Sequence, residues 1–141
     1  MKVKTVTFEV CDSGISETIS KPSDAIAFLK SAYLGFDAGQ EHFVLLALSS
    51  SNAIVGFKHL SSGGVDASIV DPRIVFRAAF ALGAAAIIVC HNHPSGNPSP
   101  SPEDVKVTKR LREGGEILGI KVVDHIIIAG DKYMSFAEEG V

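Results

Sequence analysis

Cysteine is scarce in this sequence. Its two copies, Cys11 and Cys90, stand too far apart to form a disulfide framework, so the chain fits a reducing, cytoplasmic interior. Long apolar runs are missing as well. The longest, residues 78–90, falls short of the ~18–20 residues that cross a bilayer and is broken by Gly83. The start, Met1-Lys2-Val3-Lys4-Thr5, lacks the apolar core of a signal peptide. Neither secretion nor a membrane partner is expected. Positive charge is also in deficit. The 13 Lys and Arg against 16 Asp and Glu leave a net charge of -3, which provides no global field for nucleic acid. What remains is an ordinary globular balance of 46% hydrophobic and 21% charged residues over 141 positions. That length suits one domain of ~100–150 residues. No repeat, linker or low-complexity tract divides it, so residues 1–141 read as a single domain.

Hydrophobic periodicity orders the chain. Val6, Phe8 and Val10 alternate with polar residues as in a half-buried strand. Ser20, a candidate N-cap ahead of Pro22, opens a helix over 22–34, with Ile26, Leu29, Ala32 and Tyr33 on its apolar side and Gly35 as its stop. Residues 42–49 are almost continuously apolar and suit a strand covered on both faces. A Ser-Ser-Asn turn leads to a returning strand at 53–60, and a short strand is expected at 65–70. Asp71-Pro72 opens a second helix with Ile74, Val75, Ala78, Ala79 and Leu82 as its buried stripe, closed by Gly83. Residues 86–90 form a central strand, and 101–119 a helix carrying Val105, Val107, Leu111, Ile117 and Leu118 among charges. A buried strand at 122–129 and a short edge at 133–136 end the chain. Together these elements predict an α/β (α+β) fold with a single mixed sheet flanked by helices on both faces.

The chemistry gathers after the central strand. Side chains at i and i+2 of an extended chain share a side, so His91 and His93 can converge on one ion while Asn92 faces away. Asp104, in the first turn of the following helix, can be returned to them by a loop stiffened by Pro98, Pro100 and Pro102. Three protein ligands plus a position for water is the catalytic zinc pattern. Such a site also needs a proton acceptor that is not a ligand, and Glu41, at the mouth of the strand 42–49, is the best-placed carboxylate. Ser101 can donate to the oxyanion of a tetrahedral intermediate. Each element has a plainer reading too. Ser101-x-x-Asp104 is a capping box with Pro102 at the first helical position. A His-x-His pair is often a satisfied strand end, and a lone glutamate is often solvated. The ordered set Glu, His-x-His, Ser-x-x-Asp is harder to reach by chance.

That order, Glu41, His91-x-His93, Ser101-x-x-Asp104, resembles the JAMM motif of MPN/JAB-domain metalloproteins. The longer string from His91 to Asp104, with Val65-Asp66-Ala67-Ser68 and Pro72-Arg73-x-Val75-Phe76-Arg77-Ala78-Ala79 upstream and Asp124-His125 downstream, is similar to the bacterial RadC branch. The resemblance covers about residues 20–139. It implies a cytidine-deaminase-like α/β fold, Zn2+ on His91, His93 and Asp104, Glu41 as general acid/base, Ser101 as oxyanion donor, and His125 as a residue supporting the ligands. In the wider family such machinery cleaves peptide or isopeptide bonds, so a peptide or protein substrate is expected. Three rim positions depart from the branch: Gln40 in place of an Arg, Asp66 of an Asn, and Asp71 of a His. About twenty residues precede the shared region, so the helix-hairpin-helix segment of many RadC proteins is not expected within this sequence.

The remaining candidates carry plainer roles. His42 and His59 read as structural or solvated, and Cys90 should point away from His91. His91-Asn92-His93 spells the letters of HNH nucleases, which spread those residues over separate elements. A zinc deaminase needs His-x-Glu and Pro-Cys-x-x-Cys, and neither is present. Lys106, Lys109, Arg110 and Arg112 make one helix locally basic. They keep three alternatives open: a DNA-repair or mobile-element domain that binds DNA, one that cleaves DNA, or a non-catalytic zinc scaffold.

Overall fold

Two short strands with no exposed residue define the centre of the molecule. In β1 (His42–Leu48) and β3 (Ala86–Asn92) all seven positions are buried, as expected of strands covered on both faces. The computed structural model of the chain describes residues 2–3, 17–32, 39–62 and 70–141. Within them β2 is Ile54–Ser62, β4 is Lys121–Ala129 and β5 is Lys132–Ser135, with helices α1 (Pro22–Ala32), α2 (Pro72–Ala81), α3 (Pro102–Leu118) and α4 (Phe136–Glu139). The expected strand around residues 6–10, the Gly35 stop and most of the segment 65–70 lie outside the described residues. The strands form one mixed sheet in the order β2-β1-β3-β4-β5, in which only the β3–β4 pair is parallel. This is the single mixed sheet, flanked by helices, that the sequence implies.

Alternation along the central strands divides the core in two. Val44, Leu46, Leu48, Ile88, Cys90 and Ile126 pack against Ala25, Phe28 and Leu29 of α1. Phe43, Leu45, Ala47, Ile87 and Val89 face the other way, onto Val75, Phe76 and Ala79 of α2 and Leu111 of α3. Each fully buried Leu or Ile of these layers contributes on the order of 1.5–3 kcal/mol by leaving water. The sheet is therefore clamped between helices, and His91 follows Ile87 and Val89 onto the α2/α3 side.

Helix phase is set by the caps rather than by the apolar residues alone. Asp71 caps α2 by accepting from the Arg73 N–H, and the face then presented to the sheet is Val75, Phe76 and Ala79. Ile74, expected in the stripe, is turned outward and is 41% exposed. In α3 the inward stripe is Asp104, Thr108, Leu111 and Gly115, so Val105, Ile117 and Leu118 are exposed rather than buried. The stripe begins with polar residues because this end of the helix carries part of the site, and hydrophobicity misplaces it. Val107 does pack against the second core layer. At α1 the Asp24 carboxylate reaches back to accept the N–H groups of Ser20 and Lys21. Phe136, expected in the last strand, instead opens α4, because Ser135 caps that turn by accepting from the Glu138 N–H.

Gly115 sets how closely α3 approaches β4. A Cβ there would collide with the carbonyl oxygen of Ile120 and lie 3.3 Å from Val122 Cγ2, whereas one at Gly114 would meet only the Phe76 ring, at 3.0 Å. Gly115→Ala should lower stability by about 1–3 kcal/mol, despite alanine's better helix propensity, because main chain has to move. Gly114→Ala, where a ring edge can yield, should cost less. Urea unfolding of both variants checks the order; equal stabilities would refute it.

Candidate metal centre

Register brings together residues that are distant in the chain. β1 and β3 run antiparallel with Phe43 opposite His91, so the chain just before β1 lies beside the end of β3. Glu41 thereby meets the two histidines, and the loop after β3 returns the first turn of α3 to the same corner. One ligand-type atom each from Glu41, His91, His93 and Asp104 lies within 4.8 Å of all the others, and this group could hold a metal ion.

The proton positions follow from the partners. His93 Nδ1 is 2.9 Å from the Asn97 carbonyl oxygen, which can only accept, so Nδ1 carries a proton and Nε2 is the atom turned toward the group. His91 Nδ1 lies 2.7 Å from His125 Nε2, and its own Nε2 faces His93 Nε2 at 2.9 Å. The Asp104 carboxylate closes the triangle, with Oδ1 3.3 Å from His91 Nε2 and Oδ2 3.3 Å from His93 Nε2. A tetrahedral ion with bonds of ~2.0–2.1 Å sets its ligand atoms about 3.3 Å apart. Donor chemistry and spacing both fit such an ion. Glu41 Oε1 stands at 3.7 Å from His91 Nε2 with a side chain 30% exposed, on the open side of the triangle.

The Asp104 carboxylate caps its helix and still faces both histidines. Ser101 Oγ accepts from the Asp104 N–H at 3.1 Å, and the Ser101 N–H donates to Asp104 Oδ2 at 2.8 Å, which completes the capping box. The box holds the carboxylate toward the histidines. Burial pushes the Asp104 carboxyl up, but the neighbouring His91 and the Ser101 contacts outweigh it and hold the group well below the usual carboxylate range. Asp104 is thus ionised, as a ligand must be. Ser101 keeps its hydroxyl proton for a further acceptor.

Supporting residues surround these four. His125 is fully buried, with Phe136 stacked on it at 4.7 Å and the Phe43 ring edge-on at 5.6 Å. Burial, with the neighbouring His91, holds its pKa well below the ordinary histidine value, so the ring is neutral. Phe43 also stacks on His91 at 5.7 Å and fixes its plane. Asn92 turns away from the ion's corner as expected, yet it supports Glu41. Its Oδ1 accepts from the His42 N–H at 2.6 Å and its Nδ2 donates to the Gln40 carbonyl at 2.7 Å, which grips the chain on both sides of Glu41. Sequence reasoning missed this role and that of the Asn97 carbonyl. The only signal was an amide, able to donate and accept at once, beside a ligand at a strand end.

The other candidates stay apart. Cys90 packs in the α1-side core, where burial and then the nearby Asp124 charge raise its thiol pKa steeply, so it offers no thiolate. His42 is buried, with Nδ1 3.2 Å from His59 Nε2. Among the described residues no helix is long and apolar enough to cross a membrane.

Comparison with known proteins agrees with this architecture. A family model described as the RadC-like JAB domain matches residues 19–141. A UPF0758 protein of Shouchella clausii is 47% identical over 126 residues, covering 89% of this chain and 54% of its own length. One from Staphylococcus haemolyticus is 48% identical over 122 residues, with 86% and 53% covered. A third, from Pelobacter propionicus, is 50% identical over 105 residues, with 74% and 46% covered. The chain thus spans about half the length of these curated relatives. With its mixed sheet, its flanking helices and a His/Asp/Glu group able to hold a metal, the chain belongs to the RadC-like JAB domain family.

Proposed function

We propose that this domain is a zinc-dependent hydrolase of amide bonds in peptides or proteins, including isopeptide links. The observation that carries the reading is the triangle of His91 Nε2, His93 Nε2 and Asp104, with Glu41 at its open side. Zinc bound there supplies a Lewis acid and lowers the pKa of a water. Glu41 takes the proton from the attacking water and returns it to the leaving nitrogen, the task of a carboxylate close to the ion but not spent on it. The free hydroxyl proton of Ser101 is donated to the oxyanion that develops on the former carbonyl. Asn92 keeps the Glu41 backbone in register, so the carboxylate needs little reorientation.

The DNA-binding alternative rests on the basic residues of α3. Two of the four are engaged within the chain: Lys106 Nζ lies 3.5 Å from Glu103, and an Arg112 guanidinium N–H donates to the Val141 carbonyl. Such exposed contacts are weak, so the amide hydrolase is preferred on the Glu41, His91, His93 and Asp104 group, and DNA binding that weakens steeply with salt and requires Lys109 and Arg110 would count for the alternative.

Zinc content and chelator competition test the first step. His91→Ala, His93→Ala and Asp104→Asn should each weaken zinc binding by more than about 100-fold, beyond the ~10–100-fold typical of supporting residues. A wild-type protein that binds no zinc would sink the proposal. Glu41→Gln should bind zinc within about threefold of wild type and lose ~10²–10⁴-fold in hydrolysis across a panel of peptide and isopeptide substrates. Asn92→Ala should also keep its zinc and lose roughly 10–100-fold in kcat, with little change in KM. Equal turnover by the wild type and Glu41→Gln would remove Glu41 from the reaction.

A further inference from the structure

One face of His91 is wired to the helix that carries Asp104. His91 Nδ1 meets His125 Nε2 at 2.7 Å, and His125 Nδ1 meets Thr108 Oγ1 at 2.6 Å. Thr108 Oγ1 lies 2.7 Å from the Asp104 carbonyl oxygen. A carbonyl only accepts, so the single hydroxyl proton of Thr108 is committed to Asp104. Toward His125 the hydroxyl can then only accept, which places the proton of His125 on Nδ1. The ring lies between Phe43 and Phe136, surroundings that favour the neutral form, so His125 Nε2 has no proton and must accept from His91. His91 is left with its proton on Nδ1 and a bare Nε2 aimed at the Asp104 carboxylate and His93.

We propose that Thr108 is a positioning residue that sets the tautomer of His91 through His125, and so presents His91 Nε2 as a ready metal ligand. The proposal rests on the reading of His91 as a zinc ligand and adds a residue that touches neither ion nor substrate. Thr108 is buried and one turn beyond Asp104, so one side chain links two candidate ligands. Without the hydroxyl, the buried Nδ1–H of His125 has no acceptor. The ring then favours its other tautomer, donating from Nε2 to His91 Nδ1. That moves the His91 proton onto Nε2, into the position of the ion.

Thr108→Val keeps the shape and removes the hydroxyl, and Thr108→Ser restores it. By chelator competition, Thr108→Val should bind zinc ~10–100-fold more weakly than wild type, and Thr108→Ser within about threefold. Long-range ¹H–¹⁵N spectra of the imidazoles, taken on metal-free protein at about pH 8.5 where histidines are neutral, read the tautomers directly. Wild type and Thr108→Ser should show His91 and His125 protonated on Nδ1, and Thr108→Val should shift both toward Nε2. Zinc binding by Thr108→Val equal to wild type, or an equal loss in Thr108→Ser, overturns the relay. So does an Nε2-protonated His91 in the metal-free wild type, a result that needs no variant to fold. Absence of zinc binding by the wild type would defeat the metal reading instead, while the wild-type spectrum would still decide the tautomer.

Discussion

Four electron-rich groups are forced into one corner of the sheet, and this crowding is the constraint on which the rest of the arrangement depends. Two imidazole nitrogens and two carboxylates packed this closely call for a proton or a cation among them. Their proximity must be imposed by the scaffold. The imposing elements are the antiparallel register that sets Phe43 against His91, the parallel β3–β4 pair that brings His125 alongside, and the cap that fixes the start of α3. Each is anchored by one of the two apolar layers, which explains why such short strands are so thoroughly buried.

The division of labour between the faces follows from this. The α1 side of the sheet is mainly apolar packing around Ala25, Phe28 and Leu29, and it contains Cys90, a group that could otherwise compete for a metal. The α2/α3 side begins as packing and becomes polar toward the end of β3, where the stripe of α3 runs from Leu111 through Thr108 to Asp104. The same helix thus serves as a core element at one end and a ligand support at the other.

What could be read from the sequence matches this gradient. The strands β1 and β3, the Asp71 and Ser101 caps and the grouping of Glu41 with His91, His93 and Asp104 were legible, because periodicity and residue chemistry act locally or through a recognisable motif. Ile74 was assigned to the wrong side of α2, where Val75, Phe76 and Ala79 face the sheet, and the apolar residues of α3 did not reveal its inward stripe, which begins with Asp104 and Thr108. The hold of Asn92 on Gln40 and His42 depends on register across fifty residues, and the Thr108–His125 contact on the docking of a helix against a strand. Neither leaves a periodic trace. Of the two readings of Ser101-x-x-Asp104 open in the sequence, the cap is formed, and it leaves the carboxylate facing both histidines.

The capping box has one more consequence, for how the donors are held. Asp104 is aimed by main-chain and side-chain contacts with Ser101, His93 by the Asn97 carbonyl, and His91 by His125. Each of these donors therefore has a protein partner of its own. Small zinc modules whose ligands have no such support gain their fold only with the metal. Here the orientation of the donors is spread over separate local contacts of the chain itself, and the receptacle they form faces solvent on the side where Glu41 stands.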